Sequence, residues 1–353
     1  MHIPVLLGEA VEKLNLKKGD AVVDATLGGG GHSREIMNKI GKNGILVAFD
    51  LDSEAVSEFE KSLKKQKKEP EVFLKIENFA KIDEVLESEN LSKVDAILAD
   101  LGWRSDQMEN ENYGMSFQKD SPLDMRLAPN HTVLGKAQNH ADRGKVQNHA
   151  VRGNAQNHAV RGNAQNHAVL GKTGGLTAGE IVNTWKAEDL KRLFKEYGEE
   201  KFAGRAAKAI EKQRKIKEIE TTKELSEVIK KAIGGHYKTA KIHPATRVFQ
   251  ALRIAVNNEL ENLREFLEAS LRILKPGGRI AIISFHSLED RTVKKFFRVN
   301  AGGCICPKEF PVCVCGKKPK IKIITKKPIT PTDEEIRRNP RSRSAKMRVA
   351  EKL

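Results

Sequence analysis

Asp24-Ala25-Thr26-Leu27-Gly28-Gly29-Gly30-Gly31-His32-Ser33 lies between an apolar run and a helical pattern, and the fold is read from that placement. Ahead of it, Ala21-Val22-Val23 reads as a buried strand. Behind it, Arg34 to Ile40 carries helical spacing. Strand, glycine turn, helix is the opening of a nucleotide-binding α/β unit. Glycine lets the backbone turn tightly and lets a ligand approach to contact distance. Four glycines in a row would also suit a plain flexible loop, so the next strand matters. Gly44 to Asp50 is a second apolar run closed by an acid. An acid at the tip of the second strand can accept both hydroxyls of an adenosine ribose.

The dinucleotide fingerprint G-x-G-x-x-G fails, because Ser33 stands where the third glycine belongs. No Walker lysine follows the glycines. A nucleoside site without phosphate machinery suits S-adenosylmethionine, which is adenosine joined to a zwitterionic amino acid. Leu274-Lys275-Pro276-Gly277-Gly278, ahead of the apolar run Ile280 to Ile283, resembles the turn before the fifth strand of many methyltransferases that use this cofactor.

Strand and helix patterns alternate through the first hundred residues. Ser53 can cap a helix to about Lys64, Phe73 to Ile76 is a third strand, and Val94 to Asp100 is a fourth, again closed by an acid. Alternation predicts a parallel sheet with ligands at the carboxyl ends of its strands. Gly30, Asp50, Phe79 and Asp100 all fall at such ends. Phe79 on sequence alone reads as core, with stacking on adenine as the alternative for an aromatic at that rim.

After Asp100 the pattern turns helical. Thr177-Ala178-Gly179-Glu180 and Thr221-Thr222-Lys223-Glu224 are capping boxes. The expected organisation is a Rossmann-like α/β methyltransferase fold over 1–110 and 218–353, with a helical domain inserted over 111–217. Within the insertion, 133–173 holds a nine-residue repeat with His140, His149, His158 and His167. It carries almost no large apolar residues, so it should build no core. Regular histidines invite a metal, but no other ligand type accompanies them, and no metal is assigned.

His243 to Asn257 starts with proline and continues as a helix. Thr246, Gln250, Arg253 and Asn257 fall on one polar stripe, beside an apolar stripe of Phe249, Leu252, Val256 and Leu260. Such a stripe is either an internal hydrogen-bond network or the lining of a substrate cleft. The fifth strand ends at Ser284-Phe285-His286. Cys304, Cys306, Cys313 and Cys315 form two C-x-C pairs; zinc sites favour C-x-x-C, so reduced thiols remain the competing reading. Four cysteines in 353 residues make no disulfide scaffold. The net charge of +16 favours polyanionic partners, nucleic acid first. No stretch is apolar enough to span a membrane, and the amino end is no signal peptide, so the expected location is cytoplasmic.

Together these segments resemble the RsmH (MraW) family of ribosomal small-subunit RNA methyltransferases. The resemblance lies in His2 to Leu7, Asp24 to Ser33, Ser121 to Arg126, His243 to Asn257, Ser284 to Arg291 and Asn339 to Ser344, and spans nearly all of the chain outside 133–173. It implies methylation of the exocyclic N4 of a cytosine in the decoding centre of 16S rRNA, with S-adenosylmethionine as cofactor. It also implies cofactor contacts at Gly30, Gly31, His32, Asp50, Phe79, Asp100 and Gln107; Gln107 rests on the resemblance alone. Trp103-Arg104 departs from the family's Val-Ser, and the nine-residue repeats are foreign to it.

A cytosine amino group is a poor nucleophile, so a site must orient it in line with the methyl group and accept its hydrogens. Asp100 is the catalytic candidate by position. Arg247, Gln250, Asn257, Ser284 and His286 are the substrate-binding candidates. The expected partner is 16S rRNA or the small subunit, and a homodimer is left open. Two rivals remain: a methyltransferase of proteins or small molecules, and a non-catalytic RNA-binding assembly factor. Deleting Gly135 to Leu170 is expected to leave cofactor binding and methyl transfer within about threefold, because surface insertions without core residues are tolerated. A purified deletion variant that does not fold would show the repeats to be structural.

Overall fold

The computed structural model describes residues 3–64, 70–102, 113–127, 175–237, 239, 242–303, 315–316 and 318–353. Gln107, Trp103, Arg104, the four repeat histidines, Cys304, Cys306 and Cys313 lie outside the described residues. The chain divides into two compact units, 1–121 with 258–353, and 122–257. The helices over 222–256 therefore belong with the second unit, not with the sheet as the boundary at 217 expected. The reason is local. Leu123 N–H donates to the Glu220 carbonyl at 2.9 Å, and the Asn183 side chain clasps both backbone groups of Ile219, tying this stretch to the inserted helices.

In the first unit the order is α1 (Leu7–Leu14), β1 (Ala21–Asp24), α2 (Gly31–Ile40), β2 (Ile45–Asp50), α3 (Ser53–Leu63), β3 (Glu71–Ile76), α4 (Ile82–Ser88) and β4 (Val94–Asp100). The second unit holds α5 (Ala178–Thr184), α6 (Ala187–Glu196), α7 (Ala203–Arg214), α8 (Thr222–Ile233) and α9 (Thr246–Val256). The first then resumes with α10 (Glu259–Ile273), β5 (Leu274–Ser284), α11 (Ser287–Ala301), β6 (Ile321–Ile323), α12 (Asp333–Arg338) and β7 (Lys346–Lys352).

The seven strands form one sheet in the order β3-β2-β1-β4-β5-β7-β6. β1 to β5 are parallel, and β7 runs antiparallel to both β5 and β6. Strand alternation sends side chains to two separate cores. Val23, Val47, Phe49, Ile97 and Ile282 pack on one face with Leu86 of α4, Phe266 of α10 and Phe297 of α11. Val22, Leu46, Ala48, Leu98 and Ile283 pack on the other with Leu14 of α1, Ile36 of α2 and Phe59 of α3. Burying each large side chain contributes roughly 1.5–3 kcal/mol. Both faces are covered, as a doubly wound α/β sheet requires.

Three local expectations change. The N-cap of α3 is Asp52, whose carboxylate accepts from the N–H groups of Glu54 and Ala55, so Ser53 is the first helical residue. β5 starts at Leu274, not Ile280; its pairing to β4 slips between Val94 and Ala96, so Lys275 to Gly278 bulge out and Gly277 takes φ +78°. The closing strand is Lys346–Lys352, because 340–344 wind into a 3₁₀ turn. Both expected capping boxes are present. Among the described residues no helix is long and apolar enough to cross a membrane.

Candidate active site

The chain builds β1, β2 and β3 outward to one side, then places β4 on the other side of β1. The strand order thus reverses between β1 and β4, and ligands of open α/β sheets bind at that reversal, beyond the carboxyl ends. Asp24 ends β1 and Asp100 ends β4.

The glycine turn hangs between these strand ends. Gly28 and Gly30 take φ of +52° and +72°, a region that favours glycine. A Cβ at Gly30 would lie 2.2 Å from the Phe59 ring, and one at Gly31 would lie 2.7 Å from Pro4. Their identity is therefore fixed by the chain's own packing as well as by any ligand. Gly30 caps α2 without a side chain, so the first N–H groups of that helix form an anion-favouring end. Asp50 holds the turn from β2: its carboxylate accepts the Gly28 N–H at 2.8 Å and the Asp52 N–H at 2.9 Å.

Asp24 is fully buried, a feature the sequence reading left unused. The Ser33 hydroxyl donates to it at 2.6 Å and the Thr26 N–H at 3.2 Å. The residue that breaks the dinucleotide fingerprint thus has a place of its own. The Thr26 hydroxyl in turn accepts the Asp100 N–H at 2.6 Å, locking the two strand ends together. Asp100 Oδ1 is buried and accepts no hydrogen bond among the described residues. His32 donates from Nε2 to the Val5 carbonyl at 3.1 Å, and its Nδ1 lies 3.8 Å from Asp100 Oδ2.

Burial, aided by repulsion from Asp24 and Glu289, pushes the Asp100 carboxyl up to about 7. Burial does the same to Asp24, to about 7, against the hydrogen bonds from Ser33 and Thr26 and with added repulsion from Asp50. A carboxyl raised in the folded chain holds its proton more tightly there than when unfolded. It stabilises the fold at low pH, and that contribution is lost as pH rises through about 7. The thermal midpoint of the ligand-free protein should accordingly fall as pH climbs from near 3.8 to about 7, and fall less steeply in Asp100→Asn. Parallel calorimetric profiles for the two proteins would contradict the raised carboxyl.

Phe79 follows β3 and meets Phe266 edge-on, with ring centroids 5.1 Å apart, half-buried against the core. At the end of β5, Ser284 donates to the Lys346 carbonyl at 3.2 Å. His286 is the N-cap of α11: Nδ1 accepts the Glu289 N–H at 3.3 Å. That leaves the ring proton on Nε2, 3.1 Å from Glu289 and 3.8 Å from Glu259. Burial opposes a second proton, but Glu259 and Glu289 outweigh it and push the imidazole up to about 9; a second proton would sit on Nδ1 and replace the cap bond from the Glu289 N–H. One side-chain atom each of Glu259, His286 and Glu289 lies within 4.8 Å of the others, so the imidazole faces two carboxylates at once. Ser284 and His286, expected to hold a base, are thus engaged within the sheet unit.

The polar side of α9 is likewise engaged inside its own unit. Arg247 donates to the Glu199 carbonyl at 2.9 Å and Gln250 to the Tyr197 carbonyl at 3.1 Å. Asn257 accepts the Leu127 N–H at 3.0 Å and donates to the Met125 carbonyl at 2.8 Å. This is the hydrogen-bond network that the sequence offered as one of two readings.

The site has what S-adenosylmethionine needs: a glycine turn, an uncapped helix end, a carboxylate at the second strand and a buried acceptor at the fourth. The family model described as the MraW methylase family matches residues 1–146 and 169–353. The chain belongs to that family. The part that the MraW methylase model leaves out, 147–168, lies within the nine-residue repeats. Two curated relatives, both called ribosomal RNA small subunit methyltransferase H, are 44% identical to it. The one from Carboxydothermus hydrogenoformans aligns over 100% of this chain and 98% of its own. The one from Caldicellulosiruptor saccharolyticus aligns over 100% and 99%. A relative from Clostridioides difficile with the same name is 42% identical over 100% and 99%. An rRNA methylase structure from Streptococcus thermophilus covers the whole chain at 11% identity with a TM-score of 0.38, too loose a likeness to bear on function.

Proposed function

We propose that this MraW-family methylase transfers the methyl group of S-adenosylmethionine to the exocyclic N4 of a cytosine in small-subunit 16S ribosomal RNA. The observation that carries the chemistry is Asp100: a buried carboxylate with one oxygen left without a hydrogen bond among the described residues, at the strand reversal of a chain in this family. The relatives' name carries the substrate class. When bound, the cofactor supplies an electrophilic methyl on sulfur. The residues do the rest by placement. Asp50, at the end of β2, would receive the ribose hydroxyls. Gly30, Gly31 and His32 would hold the cofactor from the turn and the start of α2, and Phe79, just after β3, would offer its ring to the adenine. Gln107 joins them by family resemblance.

Asp100 accepts an N–H of the cytosine amine and turns its lone pair toward the methyl carbon. After transfer the demethylated cofactor is the leaving group, and the proton that the nitrogen sheds passes to solvent water. The base has to be unpaired or drawn from its stack to reach this crevice. On this reading the enzyme would meet its ribosomal substrate in the cytoplasm. Whether it works there as a monomer or a homodimer is read by light scattering.

Mass spectrometry of rRNA nucleosides from strains with and without the gene tests the proposal. Loss of N4-methylcytidine on deletion is the expected result. Unchanged N4-methylcytidine overturns it; an altered protein or metabolite would then point to the first rival. Methyl transfer absent in vitro despite cofactor and RNA binding would point to the second.

A further inference from the structure

We infer that a groove between α6 and α7 binds single-stranded RNA, with basic side chains on the phosphates and an aromatic stack for a base. The inference rests on the RNA substrate proposed above. The groove encloses about 380 Å³ and is lined by Lys191, Lys201, Phe202, Arg205 and Lys208, with Glu188 as its one acid. Glu188 lies 3.6 Å from Lys191, which leaves the lining strongly positive. All four cations are exposed.

The aromatic part is rigidly built. Glu200 is buried, and its carboxylate accepts the Phe202 N–H at 2.7 Å and the Tyr237 hydroxyl at 2.5 Å. This pins the 3₁₀ turn Gly234–Tyr237 onto the start of α7. His236 then stacks on Phe202, with centroids 4.1 Å apart and planes 18° apart. Arg205 lies over the same Phe202 ring at 5.8 Å and donates to His236. His236 is exposed, so a planar group can extend the stack. A cationic groove beside stacked rings is the recognition pattern of single-stranded nucleic acid, where charge tracks the backbone and rings take bases. An acidic peptide would use the charge but leave the stack idle.

The test is fluorescence anisotropy of a labelled single-stranded RNA oligonucleotide across salt. Arg205→Glu with Lys208→Glu should weaken binding and lower the slope of log affinity against log salt by about 1.4, from about 0.7 per phosphate contact on single strands. His236→Ala should weaken binding at least about fivefold with the slope unchanged, as loss of a stacked base does. A control pair on the sheet unit, Lys17→Glu with Lys42→Glu, should do much less. For the small subunit, the double variant should raise KM with kcat and S-adenosylhomocysteine affinity unchanged. Equal losses in the groove and control variants, or none in either, overturn the groove. Groove-dependent oligonucleotide binding without methylation of ribosomal RNA would keep the groove and remove the proposed function.

Discussion

Replacing Asp100 by alanine is expected to lower turnover at saturating cofactor by at least about 10²-fold, the scale of losing one hydrogen-bond partner in the transition state. The fold should survive the change. The Asp100 N–H that bonds to Thr26 belongs to the backbone and is retained. The lost carboxyl is one whose charge is opposed by burial and by Asp24, so its removal relieves repulsion. RNA affinity should change little. Single-turnover methylation with labelled cofactor separates the outcomes. A rate restored by more cofactor would make Asp100 a binding residue alone; an unchanged rate would move the chemistry elsewhere.

The second large effect concerns Asp50. Asp50→Ala is expected to weaken S-adenosylmethionine binding by about 1.5–3 kcal/mol, the range for hydrogen bonds to a charged group. That is roughly 12- to 150-fold in dissociation constant. The carboxylate also braces the Gly28 N–H, so part of the loss could come from a loosened turn. Calorimetry with a 2′,3′-dideoxy analogue of S-adenosylhomocysteine divides the two effects. If the ribose hydroxyls meet Asp50, removing them weakens wild-type binding and leaves the variant's almost unaffected. Wild-type affinity in Asp50→Ala would place the ribose elsewhere.

The frame of this site was legible because its markers are local. Asp50 and Asp100 each close an apolar run, and the glycines follow a third, so strand ends could be read without knowing which strands pair. Asp24 carries the same mark, an acid closing a strand; three such acids should have pointed to a shared crevice. What escaped depends on contacts between distant segments. Nothing near Asn257 in sequence says that its amide meets residues 125 and 127. Ser284 looked available until β7 came alongside and its Lys346 carbonyl accepted a hydrogen bond from the hydroxyl. His286 reads as a chemical residue, and few would choose histidine for a helix cap; here Nδ1 and the reciprocal Glu289 do what serine and glutamate usually do. Physical proximity of Glu259, at the start of α10, was equally hidden from a linear reading.

β7 lies between β5 and β6, although it follows both in the chain. During synthesis β6 therefore emerges before the strand that will connect it to the sheet. Until Met347, Val349 and Ala350 arrive, β5 presents an open edge and its apolar face stays partly uncovered. The amino end is waiting too: the Leu6 N–H takes Glu335 as its acceptor, and Asn339 donates to the Ile3 carbonyl. A growing chain thus cannot finish its catalytic unit piecemeal. A chain that ends before β7 leaves the β5 edge unpaired and β6 without a neighbour in the sheet.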